Sequence, residues 1–144
     1  MNNPLKFSMF KRSAKHDKAE NTDEAMQAPP TGWIGVDLDG TLAEFHQWEG
    51  IHAIGAPVPR MLERVKNWLD EGKDVRIFTA RVGPGQSPFA TMTARLAIRN
   101  WSIRHLGRAL PVTATKDFGM IELWDDRAVH VIANTGLTTD ESSV

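Results

Sequence analysis

The stretch WIGVDLDGTL, residues 33–42, decides the fold. An apolar run begins at Trp33 and stops at Asp37; Leu38, a second acid at Asp39, Gly40 and Thr41 follow. A short apolar run bounded by turn residues reads as a buried strand over 33–38. Burying acids beside such a strand is costly unless something offsets their charge. In extended chain, side chains two apart point to one side, so Asp37 and Asp39 share a small volume. Paired acids repel unless a cation lies between them or one keeps its proton. A hard ion such as Mg²⁺ suits carboxylate and carbonyl oxygens. Gly40 lets the backbone turn sharply and approach a ligand closely.

Outward from this stretch the chain alternates. Pro59 stands near a helix start, and Met61, Leu62, Val65, Trp68 and Leu69 recur at helical spacing until Gly72. Residues 75–79 (VRIFT) read as a second strand. Ser87 and Pro88 open a longer helix with an expected apolar face of Phe89, Met92, Leu96, Ile103 and Leu106, ending at Gly107. Short strands are expected over 111–114, 121–124 and 129–132. Strands separated by helices imply right-handed crossovers. The expected architecture is α/β: a Rossmann-like three-layer sandwich with a mainly parallel central sheet and helices on both faces. Sheets of this kind place ligands beyond the carboxyl ends of their strands. Residues 1–30 are polar and close on Ala28-Pro29-Pro30, which reads as a mobile arm. The folded domain is expected over 31–134, with a polar, frayed tail over 135–144.

Composition excludes several classes. The chain has 144 residues, 41% of them hydrophobic and 24% charged, the balance of a soluble globular domain. A net charge of −1 gives no global reason to expect nucleic acid or a membrane surface. No apolar run is long enough to span a bilayer, and the N-terminus makes a poor signal peptide. The absence of cysteine removes disulfides, thiolate nucleophiles and Cys-based zinc sites together. A cytoplasmic protein without membrane contact is expected.

Three strand ends carry the candidate chemistry. The first is Asp37-Leu38-Asp39-Gly40-Thr41. The second ends in Thr79, Ala80 and Arg81, where a hydroxyl and nearby backbone N–H groups suit a phosphate. The third, Leu123-Trp124-Asp125-Asp126, again runs an apolar strand into adjacent acids, with Lys116 a little upstream. Taken singly, each has a plainer use: Asp, Gly and Thr favour turns, an acid pair caps helices, and an isolated lysine is usually solvated.

Together they resemble the haloacid dehalogenase-like superfamily of phosphotransferases: an Asp-x-Asp-Gly-Thr motif, a strand-end Thr, a Lys and then an acidic pair, in order from Asp37 to Asp126. The segment KDFGMIELWDDRA, residues 116–128, is similar to small capless members in which the Lys closely precedes the acids. In many larger members that gap is longer, which makes Lys116 the weakest match. The resemblance implies roles. Asp37 would be the nucleophile that forms an aspartyl-phosphate, and Asp39 the general acid and base. Mg²⁺ would be held by the Asp37 carboxylate, the Asp39 main-chain carbonyl and Asp125, with Asp126 the secondary candidate. Thr79 and Lys116 would bind the phosphoryl oxygens, with Lys116 also neutralising Asp37, and Arg81 is the candidate for holding an anionic substrate.

An acid at position 39 favours a phosphatase over a dehalogenase or an ion-pumping ATPase. Residues 43–58 are too short for a cap domain, so an open site is expected, with His46, Trp48 and His52 as residues that would lean over it. The expected partner is a phosphorylated small molecule such as a nucleotide or sugar phosphate. The alternatives are a phosphatase acting on a nucleic-acid end or phosphoprotein, and a non-catalytic binding module. Residues 75–116 hold seven basic residues and no acid, but on a helix Arg104 and Arg108 fall nearly opposite Arg95 and Arg99, so nucleic acid is not favoured. Capless members often cover the site with a neighbouring subunit, which leaves room for a homo-oligomer.

Overall fold

The computed structural model describes residues 31–143, so the arm expected over 1–30 lies outside the described residues. Four strands, β1 (Trp33–Asp37), β2 (Asp74–Phe78), β3 (Val112–Thr113) and β4 (Met120–Trp124), form one parallel sheet in the order β3-β2-β1-β4. Helix α1 (Pro59–Asp70) leads from β1 to β2, and α2 (Pro88–Leu106) from β2 to β3. The fold is α/β and Rossmann-like, with no large cap among the described residues.

The register positions the site. Val36 pairs with Ile77 on one side and Trp124 on the other. Asp37, Thr79 and Asp125 therefore emerge at the same carboxyl edge of the sheet.

Local signals hold the helices in place. Ser87 Oγ accepts from the Ala90 N–H at 3.1 Å, Pro88 occupies the first turn of α2, and Gly107 ends the helix at φ 79°. Ile34, Val36, Leu38, Val75 and Ile77 join Met61 and Val65 of α1 and Ile98, Trp101 and Leu106 of α2 in one buried cluster. Both helices thus lie against the same face of the sheet. Helices on both faces were expected; successive right-handed crossovers that advance the same way from β1 to β2 to β3 instead put both on one side. On the opposite face Trp33 is buried under a loop. Its Nε1–H donates to Asp117 Oδ1 at 2.8 Å, and the Arg76 guanidinium lies 4.7 Å from its ring. The bonds from Trp33 and the Gly119 N–H hold the Asp117 carboxyl below the usual range.

Two further expectations need correction. On α2, Phe89, Met92, Leu96 and Ile103 are exposed, and the buried face is Ala94, Ile98, Trp101, Ser102 and Leu106. The helix is apolar on two sides. Small Ala94 and Ser102 allow close approach, and Trp101 anchors the inward side by donating to the Gly55 carbonyl at 2.9 Å. The strand expected over 129–132 is absent. Val129 and Val131 are exposed, and Asn134 and Gly136, both at positive φ, turn the chain so that Val131 bridges Thr138 rather than β4. Beyond it the residues read as a tail hold local bonds, Glu141 accepting from the Thr138 N–H at 2.8 Å.

Candidate active site

The tip of β1 continues into a tight turn. The Ala43 N–H bonds the Leu38 carbonyl at 2.8 Å, and the Gly40 N–H bonds the Ala43 carbonyl at 2.8 Å. Gly40 sits at φ 92°, where a side chain is strained, and a Cβ there would lie 2.7 Å from Asp126 Oδ2. The missing side chain therefore lets the acid pair after β4 approach the first motif. Thr41 ties the two together: its Oγ1 accepts the Asp126 N–H at 3.0 Å and lies 3.3 Å from Asp126 Oδ1 and 3.4 Å from Asp37 Oδ2. Although Thr41 belongs to the motif, nothing in the sequence gave it this bridging role.

Asp37, Asp125 and Asp126 offer carboxylate oxygens that all lie within 4.8 Å of one another. Burial first, then the charges of Asp125 and Asp126, push the Asp37 carboxyl from 3.8 up to about 7. Three carboxylates this close repel one another when all are ionised. A hard divalent cation would relieve that repulsion, and an all-oxygen donor set suits Mg²⁺. The residues fit the ion that the resemblance implies.

Asp39 points elsewhere. Its two oxygens accept from Arg81, Oδ2 from Nε at 2.7 Å and Oδ1 from Nη2 at 2.8 Å. Arg81 also donates from Nη1 to the Ile51 carbonyl at 3.2 Å and from Nη2 to the Ala53 carbonyl at 2.7 Å. Its guanidinium stacks 4.8 Å from the centre of the Trp48 ring. Arg81 is in the site, but its donors go to Asp39 and to the loop over 44–56. That loop is closed at its base, where the Glu44 N–H bonds the Ala56 carbonyl and the Val58 N–H bonds the Leu42 carbonyl, both at 2.8 Å. Gly55 permits this closure, because a Cβ there would run into the Glu44 carbonyl.

A cavity of about 510 Å³ opens between these parts, lined by Asp37, Asp39, Thr79, Arg81 and Asp125. Thr79 is buried at 2% exposure, and its hydroxyl oxygen accepts the Arg81 backbone N–H at 3.2 Å, leaving its own proton to offer inward. Phe45, Trp48 and Phe78 add aromatic walls, with Gln86 and Arg127 also lining the space. Phe45 and Phe78 had no sequence signal beyond their type. Lys116 does not join this cavity. It is exposed and lines a neighbouring one with Glu122, Asp125 and His130, so Asp125 belongs to both. Of the residues expected to lean over the site, Trp48 lines the cavity, whereas His46 and His52 are exposed and enter no cluster of three metal-type ligands among the described residues.

Fold and site together define an α/β protein with an acidic centre at the carboxyl edge of a parallel sheet. No family model and no curated protein matches the chain. Among solved structures, the chain is similar to a conserved protein from Bacteroides thetaiotaomicron, with 21% identity and a TM-score of 0.49 over 69% of this chain and 78% of that one. No helix among the described residues is long and apolar enough to cross a membrane.

Proposed function

We propose that this protein is a Mg²⁺-dependent phosphomonoester hydrolase of the haloacid dehalogenase-like type, acting through an aspartyl-phosphate on a small phosphorylated metabolite. One observation carries the proposal: Asp37, Asp125 and Asp126 converge within 4.8 Å at the strand ends, beside a cavity that also holds Asp39 and Thr79. The three carboxylates and the Asp39 main-chain carbonyl would hold the ion. When bound, it would screen the nucleophile from the anionic phosphate and stabilise charge on the transferring group.

The chain's own residues then divide the work. An Asp37 oxygen attacks phosphorus as the ester P–O bond breaks, and Asp39, after one of its oxygens has taken a proton from solvent in place of an Arg81 bond, gives that proton to the departing oxygen. In the second half, Asp39 takes a proton from the water that attacks the aspartyl-phosphate, releasing inorganic phosphate and restoring Asp37. Thr79, whose hydroxyl oxygen already accepts the Arg81 N–H, would offer its own proton to a phosphoryl oxygen.

The cavity volume suits a small metabolite, and the aromatic walls favour a nucleotide over a sugar phosphate. A nucleic-acid end is less favoured: Arg76 pairs with Asp74, Arg81 is bonded inside the site and Arg95 bonds the Val112 carbonyl, which leaves no basic stripe of these residues. A cytoplasmic location goes with the same proposal. The test is hydrolysis of an activated aryl phosphate, with and without Mg²⁺, by wild type and Asp37→Asn. Metal-dependent turnover lost in the variant is the expected result. Turnover indifferent to Asp37 would sink the proposal, and Mg²⁺ binding without turnover on a panel of nucleotides, sugar phosphates and phosphorylated oligonucleotides would favour a binding module.

A further inference from the structure

Arg81 is 6% exposed, yet it is neither packed as an apolar stem nor left to meet a ligand. Its Nε and both terminal nitrogens make four hydrogen bonds, two to the Asp39 carboxylate and two to the main-chain carbonyls of Ile51 and Ala53. The fork geometry of a guanidinium is what allows one side chain to grip a carboxylate with one edge and carbonyls with the rest. One face of the same group lies under Trp48, a ring that is 59% exposed and belongs to the same loop. Among the described residues the Asp39 carboxylate has no other side-chain hydrogen bond to the loop, whose base is closed by backbone bonds at residues 42–44 and 56–58.

We infer that Arg81 is a positioning residue that fastens the 44–56 loop to Asp39, so that the wall of the site and the aim of its acid/base carboxylate are set together. The inference rests on the phosphatase proposal for the role of Asp39, but its structural half does not. A phosphate-binding Arg81 would have to give up either the carboxylate or the loop. The position of the arginine, immediately after Ala80 in the turn that Thr79 caps, explains the selection: the backbone N–H of Arg81 is held by the Thr79 hydroxyl, which starts the side chain toward Asp39 from a fixed origin.

The test uses Arg81→Met, Arg81→Lys and Trp48→Ala with two substrates, an activated aryl phosphate and an alkyl phosphate. The aryl leaving group departs without a proton, whereas the alkoxide needs one from Asp39. A group that acts by aiming Asp39 is expected to matter for the second far more than the first. In Arg81→Met, kcat for the alkyl phosphate should fall at least about 10²-fold, the scale of a lost general acid, while KM for both substrates stays within about threefold. Amide hydrogen exchange over 50–54 should quicken at least about tenfold, the signature of a local opening. Arg81→Lys should restore neither property, because one ammonium cannot serve two carboxylate oxygens and two carbonyls. A rise in KM for both substrates with unchanged loop exchange would overturn the inference and return Arg81 to phosphate binding. Should Arg81→Met not fold, Trp48→Ala reads the coupling from the exposed side: faster exchange over 50–54 with a lowered alkyl-to-aryl ratio supports it, and no change in either overturns it. A wild type without Asp37-dependent hydrolysis would defeat the phosphatase proposal alone, since exchange in the Arg81 variants still tests the tie.

Discussion

Asp37 and Asp39 stand two residues apart on one strand tip and live in opposite electrostatic surroundings. Asp37 faces Asp125 and Asp126 and is driven up to about 7, whereas Asp39 has both oxygens in the grip of a buried guanidinium. The first is a cluster of like charges, which under the proposed function a cation from solution would offset; the second carries its cation within the chain. One motif thus builds two sites with different dependences. Asp37 stands among like charges, whereas the geometry at Asp39 is tied to the seat of the 44–56 loop.

Substitutions should separate the two. The largest expected effect is Asp37→Asn, which should lower metal-dependent phosphoester turnover by about 10³-fold or more, since the proposed mechanism has Asp37 as the carboxylate that attacks phosphorus; circular dichroism should show the fold intact. Asp39→Leu is next, and its signature is stability. It leaves Arg81, with only 4% of its side chain exposed, without a counter-charge. Breaking a buried pair of this kind costs about 3–5 kcal/mol, and the partial exposure of Asp39 lowers the expectation to about 2–4 kcal/mol, to be read from urea unfolding. Equal stability of the Asp37 and Asp39 variants would break the contrast.

Gly40→Ala tests the contact between the two acidic segments. A methyl at φ 92° and 2.7 Å from Asp126 should cost about 1–2 kcal/mol in strain and weaken Mg²⁺ binding about tenfold, measurable by calorimetry. The smallest effect is a pH dependence in the metal-free protein. The folded Asp37 carboxyl binds its proton up to about 7, whereas the unfolded one releases it near 3.8. Between these values the folded state holds more protons, so stability falls as pH rises from about 4 to 7 and the contribution is gone above that. Discounted for solvent screening, the change is about 1 kcal/mol. Thermal melts in chelator should show it in wild type and lose it in Asp37→Asn, and added Mg²⁺ should flatten it.

The parts of the fold that were legible are those with local causes. The strand at 33–37, α1 from Pro59 and α2 between Ser87 and Gly107 follow from an apolar run ending in acids, a proline at a first turn, and a serine and a glycine as caps. The inward face of α2 was misread because its two sides are about equally apolar, so periodicity gave no direction. What selects Ile98 and Trp101 over Phe89 and Leu96 is a long-range bond to Gly55 and the fit of small residues against the sheet. The strand expected over 129–132 failed for a related reason: a β-rich run needs an edge to pair with, and the turn at Asn134 and Gly136 offered Thr138 first.

The same division holds for the site. By itself the sequence determined that acids stand at two strand ends and a threonine at a third, because each depends on residue type and on a strand stopping where it does. Only the tertiary structure decided how they combine. Strand register brought Asp37 to Asp125 and Asp126, and the missing Cβ of Gly40 let them close. The path of loop 44–56 gave Arg81 to Asp39 rather than to open space, and Lys116 lines the neighbouring cavity. A charged side chain's partner is fixed by distances across the fold, to which residues far apart in the chain contribute together. Its type alone carries no record of them.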